Sequence, residues 1–127
     1  MRFLKSIDVE NEIRIALSDY LNVYCRPLPK DYALPNILVT QVGLRQENKI
    51  DYFEVVLDSR SDIDEEALDY LNTAVGILKQ VAKEQTTELR KVTVNTSGSW
   101  GLDPVRPDLK MCSARLQVEV HQTIMEV

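Results

Sequence analysis

From Cys112 to His121 the chain alternates without a break. Cys112, Ala114, Leu116, Val118 and Val120 fall on one side, and Ser113, Arg115, Gln117, Glu119 and His121 on the other. Successive side chains of a strand point to opposite faces, so this run predicts a strand with one face on a core and one in water. A parallel sheet covered on both faces reads instead as a continuous apolar run. The chain is therefore expected to build a largely antiparallel sheet with one covered face, and amphipathic helices are needed to cover it.

Two segments supply them. Val9, Ile13, Ala16, Leu17 and Tyr20 recur at helical spacing behind a cap at Ser6 or Asp8, and Asn22 ends the run. Asp62-Ile63-Asp64-Glu65 opens a second helix with a carboxylate cap and further acids at its positive end. Its buried face is expected to hold Ala67, Leu71, Ala74, Leu78 and Val81, joined by Leu68 and Val75, despite Gly76.

Val23-Tyr24-Cys25 reads as a short strand, and Pro27 and Pro29 then impose an irregular extended segment that ends at Pro35. Asn36 to Val42 is rich in β-branched residues and predicts a buried strand. Gly43 to Lys49 reads as a polar turn, and Tyr52 to Leu57 as the partner strand of a hairpin. Leu89 to Thr96 is a further strand, and Thr96 to Pro104 a loop prolonged by Pro107.

The predicted order is α-β-β-β-α-β-β: an α+β fold in one domain, residues 1–127, with a largely antiparallel or mixed sheet and two helices packed on one face. A chain of 127 residues, 44% of them hydrophobic, can bury roughly two-thirds of its unfolded surface. No disulfide is needed for that. Cys25 and Cys112 lie in different segments and read as reduced, small apolar side chains.

Charge excludes some functions. Fifteen Lys and Arg face twenty Asp and Glu, a net charge of −5, and the cations Arg2, Lys5, Arg14, Arg26, Lys30, Arg45, Lys49 and Arg60 are scattered. Nucleic-acid binding relies on clustered cations, so no sequence-specific nucleic-acid interface is expected. The acids Asp8 and Glu10 interrupt the N-terminal residues before an apolar run forms, against a signal peptide. No stretch approaches the ~20 apolar residues of a membrane span, so no membrane partner is expected.

No pattern of catalytic residues stands out. Asp58, Asp62, Asp64, Glu65 and Glu66 lack the glycine of a calcium loop and run into a helix, so they read as helix-start acids. With two Cys and one His, a zinc site of about four ligands has too few N and S donors. Glu47-Asn48-Lys49 with Asp31 resembles the short motif of magnesium-dependent restriction-type nucleases, but Glu47 and Lys49 fall in the predicted turn and Asp31 among prolines. His121, the one histidine, lies on the polar face of the last strand. No phosphate loop or nucleophile elbow is present. The expectation is a protein without catalytic residues, metal or cofactor.

Trp100, the one tryptophan, has two readings: it covers the edge of the core, or it anchors a partner, as Trp and Arg often do at interfaces. Arg106 and Asp108 in the same loop are similar candidates, as is Arg60. Arg115 and Glu119 alternate in sign along the polar face of the last strand, where they can pair between subunits or line a channel.

The order and texture of the whole chain resemble the small tail-terminator, or tail-completion, proteins of long-tailed bacteriophages. The resemblance is carried by the N-terminal helix, Arg26-Pro27-Leu28-Pro29 leading into Leu34-Pro35-Asn36-Ile37-Leu38-Val39, and the Asp-rich start of the long helix. It continues through Trp100-Gly101-Leu102-Asp103-Pro104, Arg106-Pro107-Asp108-Leu109 and the final strand. What it implies is a homohexameric ring that caps the tail tube, ends its polymerisation and offers a surface to the head–tail connector, with DNA able to pass through. The implied location is the virion tail, after assembly in the bacterial cytoplasm. A head–tail connector or other minor virion protein is the alternative role.

Overall fold

The computed structural model describes residues 1–127. Asp8 accepts from the Asn11 amide at 3.2 Å and caps helix α1, Val9–Leu17, which turns Val9, Ile13 and Leu17 into the core. Ser18 ends α1, and the amides of Tyr20 and Leu21 both return to the Leu17 carbonyl. Tyr20, expected on the buried stripe, therefore lies beyond the helix and is exposed.

Strand β2, Val23–Cys25, pairs in parallel with β3, Asn36–Glu47. The segment between them has cis peptide bonds before Pro27 and Pro35. β3 forms an antiparallel hairpin with β4, Ile50–Ser61. The predicted turn at Gly43–Lys49 shrinks to two residues. Asn48 and Lys49 both have positive φ, 52° and 65°, the backbone of a type I′ hairpin turn, whose twist matches its strands. Residues 43–47 stay extended because they have partners: Arg45 stacks over the Tyr52 ring opposite it, 4.2 Å from the centroid.

Helix α2, Asp64–Glu84, follows β4 directly. The expected carboxylate cap is absent, since the N-cap is Ile63. Ser61 takes over: its hydroxyl accepts from the Ile63 amide at 3.2 Å and donates to Glu66 at 2.8 Å. Asp64, Glu65 and Glu66 occupy the first turn as predicted. Ala67, Leu71, Ala74, Val75, Leu78 and Ala82 are buried, whereas Leu68 is partly exposed.

β5, Leu89–Leu102, and β6, Lys110–His121, complete a five-stranded sheet in the order β2-β3-β4-β6-β5, antiparallel except for β2–β3. The predicted loop from Thr96 is the second half of β5. Its Ser, Gly and Thr residues lack apolar alternation, but the first half of β6 offers an open edge, and pairing reaches Leu102↔Lys110 across three irregularities. Two further strands carry no alternation visible in the sequence: β1, Arg2–Lys5, and β7, Thr123–Glu126, form a separate two-stranded antiparallel ribbon. Gln46 ties it to the sheet by donating to Ser6 at 3.1 Å and to the buried Asp51 at 3.0 Å.

Both helices lie on one face of the large sheet. A single cluster joins Val9, Ile13 and Leu17 of α1, the apolar face of α2, and the inward residues of the sheet. On β6 these are Cys112, Ala114, Leu116, Val118 and Val120, all buried as the alternation predicts. Burying one such large side chain contributes about 1.5–3 kcal/mol. The opposite face carries Tyr52, Glu54, Val56, Asp58 and Arg60 of β4 beside Glu119, Gln117, Arg115, Ser113 and Met111 of β6. At the Arg60 end the proline segment and the β5–β6 connection fold over that face.

Candidate functional site: the cleft over Arg60

Arg60, which the sequence places among the interface candidates, has a side chain only 7% exposed. The even-numbered positions of β4 face away from the helices, so Arg60 emerges where the two covering segments meet. Its Nε donates to Asp103 Oδ2 at 2.5 Å, and the Asp103 side chain is 5% exposed.

Asp103 is fully engaged. Its other oxygen accepts the Val105 and Arg106 amides, each at 2.9 Å, the local turn that an Asp-Pro sequence favours. Burial pushes the Asp103 carboxyl up, but the Arg106 amide, the Arg60 guanidinium and the Val105 amide outweigh it and hold it below its ordinary value.

The guanidinium is not fully engaged. No protein atom accepts from Arg60 Nη1, which is buried. Leaving such a donor unmet costs about 1–3 kcal/mol, and more when charged. Asn36, opposite Arg60 in the β3–β4 register, has a buried Oδ1 equally without a partner, its Nδ2 being used by the Ala33 carbonyl at 2.9 Å.

Arg60 and Asp103 border a cleft of about 380 Å³. Leu28, Pro29, Leu38 and Val105 supply apolar walls; Lys30, Arg106 and Arg60 supply three cations against the one carboxylate of Asp103. A larger hollow of about 460 Å³ lies on the same sheet face over Gly43 and Gln117. Its charges are already paired, Arg45 with Glu47 and Glu54 with Arg115.

Of the other sequence candidates, Arg106 and Asp108 pair with each other at 2.8 Å at the rim of the cleft. Arg106 holds the Asp108 carboxyl below its ordinary value. Trp100 is 51% exposed and belongs to an edge strand, opposite Cys112 on the helix side, not to a loop. Arg115 pairs within its own chain, with Glu54 at 2.7 Å, and both side chains are about half exposed. Glu119 is partly buried between Tyr52 and Lys91 in the register. His121 is exposed at the end of β6.

Asp31, Glu47 and Lys49 are not brought together. Lys30 and Tyr32, on either side of Asp31, line the cleft near Leu38 and Arg60. Glu47 and Lys49 sit at the opposite end of β3, whose 12 residues span roughly 35 Å at about 3.3 Å per residue. One cation cannot be held by both ends.

Asp103, Asn36 and Lys30 were missed by sequence reasoning. The signal for Asp103 was its Pro neighbour; nothing in the sequence pointed to Asn36 or Lys30. No helix is long and apolar enough to cross a membrane. The chain matches no protein-family model, and no curated protein matches it.

Proposed function

We propose that the chain is a structural assembly protein of the tail-terminator kind. Copies join edge to edge into a homohexameric ring that caps the tail tube, ends its polymerisation and offers its remaining surface to the head–tail connector. It works in the virion tail, without catalytic residues or a cofactor, and DNA passes through its opening.

The observation that carries this reading is a pair of opposed free edges on one sheet. β5 has no strand along its outer side over its 14 residues, and β2 covers only Ile37–Val39 of β3. A ring of identical subunits needs two different surfaces per subunit, which close when their rotation adds to a full turn. The three antiparallel steps between β3 and β5 make them run oppositely, so a neighbour in the same orientation meets its partner edge antiparallel. Each edge also carries exposed apolar residues, Val42 and Leu44 on β3 and Trp100 and Leu102 on β5. Backbone pairing supplies affinity in such an arrangement, and side chains supply register.

Light scattering and electron microscopy test this. The purified protein, alone or with tail tubes, should form six-fold rings, and Trp100→Asp should abolish them while leaving the circular dichroism unchanged. A chain that stays monomeric at high concentration and ignores tail tubes would refute it. Particles lacking the protein should carry overlong or unjoined tails; normal tails that merely fail to receive heads point to the connector role.

A further inference from the structure

We infer that the cleft over Arg60 binds a carboxylate carried on an apolar body. This does not depend on ring assembly.

Arg60 Nη1 is a charged donor in a side chain 93% buried, and no protein group meets it. A guanidinium and a carboxylate usually meet through two parallel bonds. Asp103 offers Arg60 only one, because its second oxygen is committed to the Val105 and Arg106 amides. Asp103 thus acts as a positioning residue: it fixes the guanidinium through Nε and leaves Nη1 without a protein acceptor.

The surroundings select the ligand. The cleft borders hold three cations and one carboxylate in a protein of net charge −5, so its local field favours an anion. Arg106 is partly neutralised by Asp108, whereas Lys30 pairs with no acid. A compact polyanion such as phosphate asks for donors on every side, but here Leu28, Pro29, Leu38 and Val105 form the walls. A carboxylate facing Arg60 with an aliphatic body against those walls satisfies both halves. The volume of about 380 Å³ suits a small organic acid or one acidic side chain with its apolar neighbours.

The simplest rival is a water joining Nη1 to Asn36 Oδ1, which would satisfy both atoms and leave nothing to bind. Titration of the ¹⁵N-labelled full chain with sodium hexanoate, hexan-1-ol and inorganic phosphate separates these outcomes. Hexanoate should move the Arg60 side-chain and the Val105 and Arg106 amide signals, saturating in the millimolar range. Hexan-1-ol and phosphate should bind at least tenfold more weakly.

Lys30→Met, at the rim, should weaken hexanoate severalfold with the spectrum otherwise intact. Arg60→Lys, which keeps the charge and loses the fork, should weaken it at least tenfold. A capped Leu-Glu-Leu peptide that binds more tightly than hexanoate identifies a polypeptide side chain as the source; weaker binding identifies a free acid. Unmoved Arg60 signals, or equal binding of hexan-1-ol or of phosphate, would overturn the inference.

Discussion

Replacing Asp103 by Ala removes the one group that compensates a guanidinium enclosed by protein. Three hydrogen bonds disappear, to Arg60 Nε and to the Val105 and Arg106 amides. The two amides lie in a connection beside the exposed Val105 and can turn to water. The guanidinium, 7% exposed, cannot. Removing one partner of a buried pair costs about 3–5 kcal/mol, and the recovery of the amides places Asp103→Ala toward the lower end, near 3 kcal/mol. For a chain of this length, about 4 °C of Tm accompanies each kcal/mol, so thermal unfolding followed by circular dichroism should show a drop on the order of 12 °C.

Two controls tie this loss to the charge. Arg60→Met in the Asp103→Ala background removes the uncompensated cation and should restore most of the stability, since well-packed apolar replacements of buried pairs are often neutral. The pH dependence has a definite sign. The folded carboxyl is held below its ordinary value, so its contribution is complete above the unfolded pKa of about 3.9 and is lost as pH falls through the lower folded value. The stability gap between wild type and Asp103→Ala should therefore stay flat from pH 7 to about 5 and shrink only below about 4. A cost under about 1 kcal/mol, the yield of an exposed pair, would refute the reasoning. So would a double variant no more stable than Asp103→Ala, or a gap already closing at neutral pH.

Two glycines predict opposite outcomes. Gly76 is exposed inside α2, and a Cβ there would meet nothing within 4 Å, so Gly76→Ala should stabilise by about 1 kcal/mol in urea unfolding with an unchanged m-value. Gly98 has open space too, but its φ of +81° is one that side-chain-bearing residues resist. Gly98→Ala should cost about 1–2 kcal/mol, with faster amide exchange concentrated in Ser99–Leu102.

The parts of the fold that were legible in the sequence are those where one side chain decides one contact. The alternation of Cys112–Val120 and the spacing of Ala67, Leu71, Ala74 and Leu78 reflect burial against a single layer, and hydropathy records that directly. Residues 43–47 and 96–102 carried no such signal because they are extended through backbone pairing to a strand distant in sequence. Their side chains face water, so nothing about them is forced to be apolar. The ribbon of β1 and β7 is the extreme case, since its partners are 118 residues apart at Lys5↔Thr123 and 124 apart at Arg2↔Glu126.

The cleft was half legible for a related reason. Arg60 and Arg106 were singled out as charges, yet burial separates the pairs on this sheet face more than chemistry does. Arg115–Glu54 and Arg60–Asp103 are the same kind of ion pair at 2.7 and 2.5 Å. One lies in the open, and the other under two folded-over segments that meet only in three dimensions.

Edge protection bears on where the proposed assembly would take place. An unpaired strand edge invites other chains, and proteins blunt it with short strands, bulges, charges or covering groups. On β3 the edge is blunted by β2, then by the Glu10 carboxylate on the Gln41 amide at 2.8 Å, then by the irregularity between Gln41 and Gly43. On β5 the first half has Lys91, a Gln85 side chain bonded to the Arg90 carbonyl, and two of the three irregularities. From Ser99 to Leu102 none of these devices continues: pairing with β6 is regular, no charge intervenes, and Trp100 and Leu102 are 51% and 63% exposed. Ser99–Leu102 is thus the least protected stretch of β5, as the stretch of β3 beyond Gly43 is on the opposite edge, and this supports reading Trp100 as a partner anchor in the proposed ring.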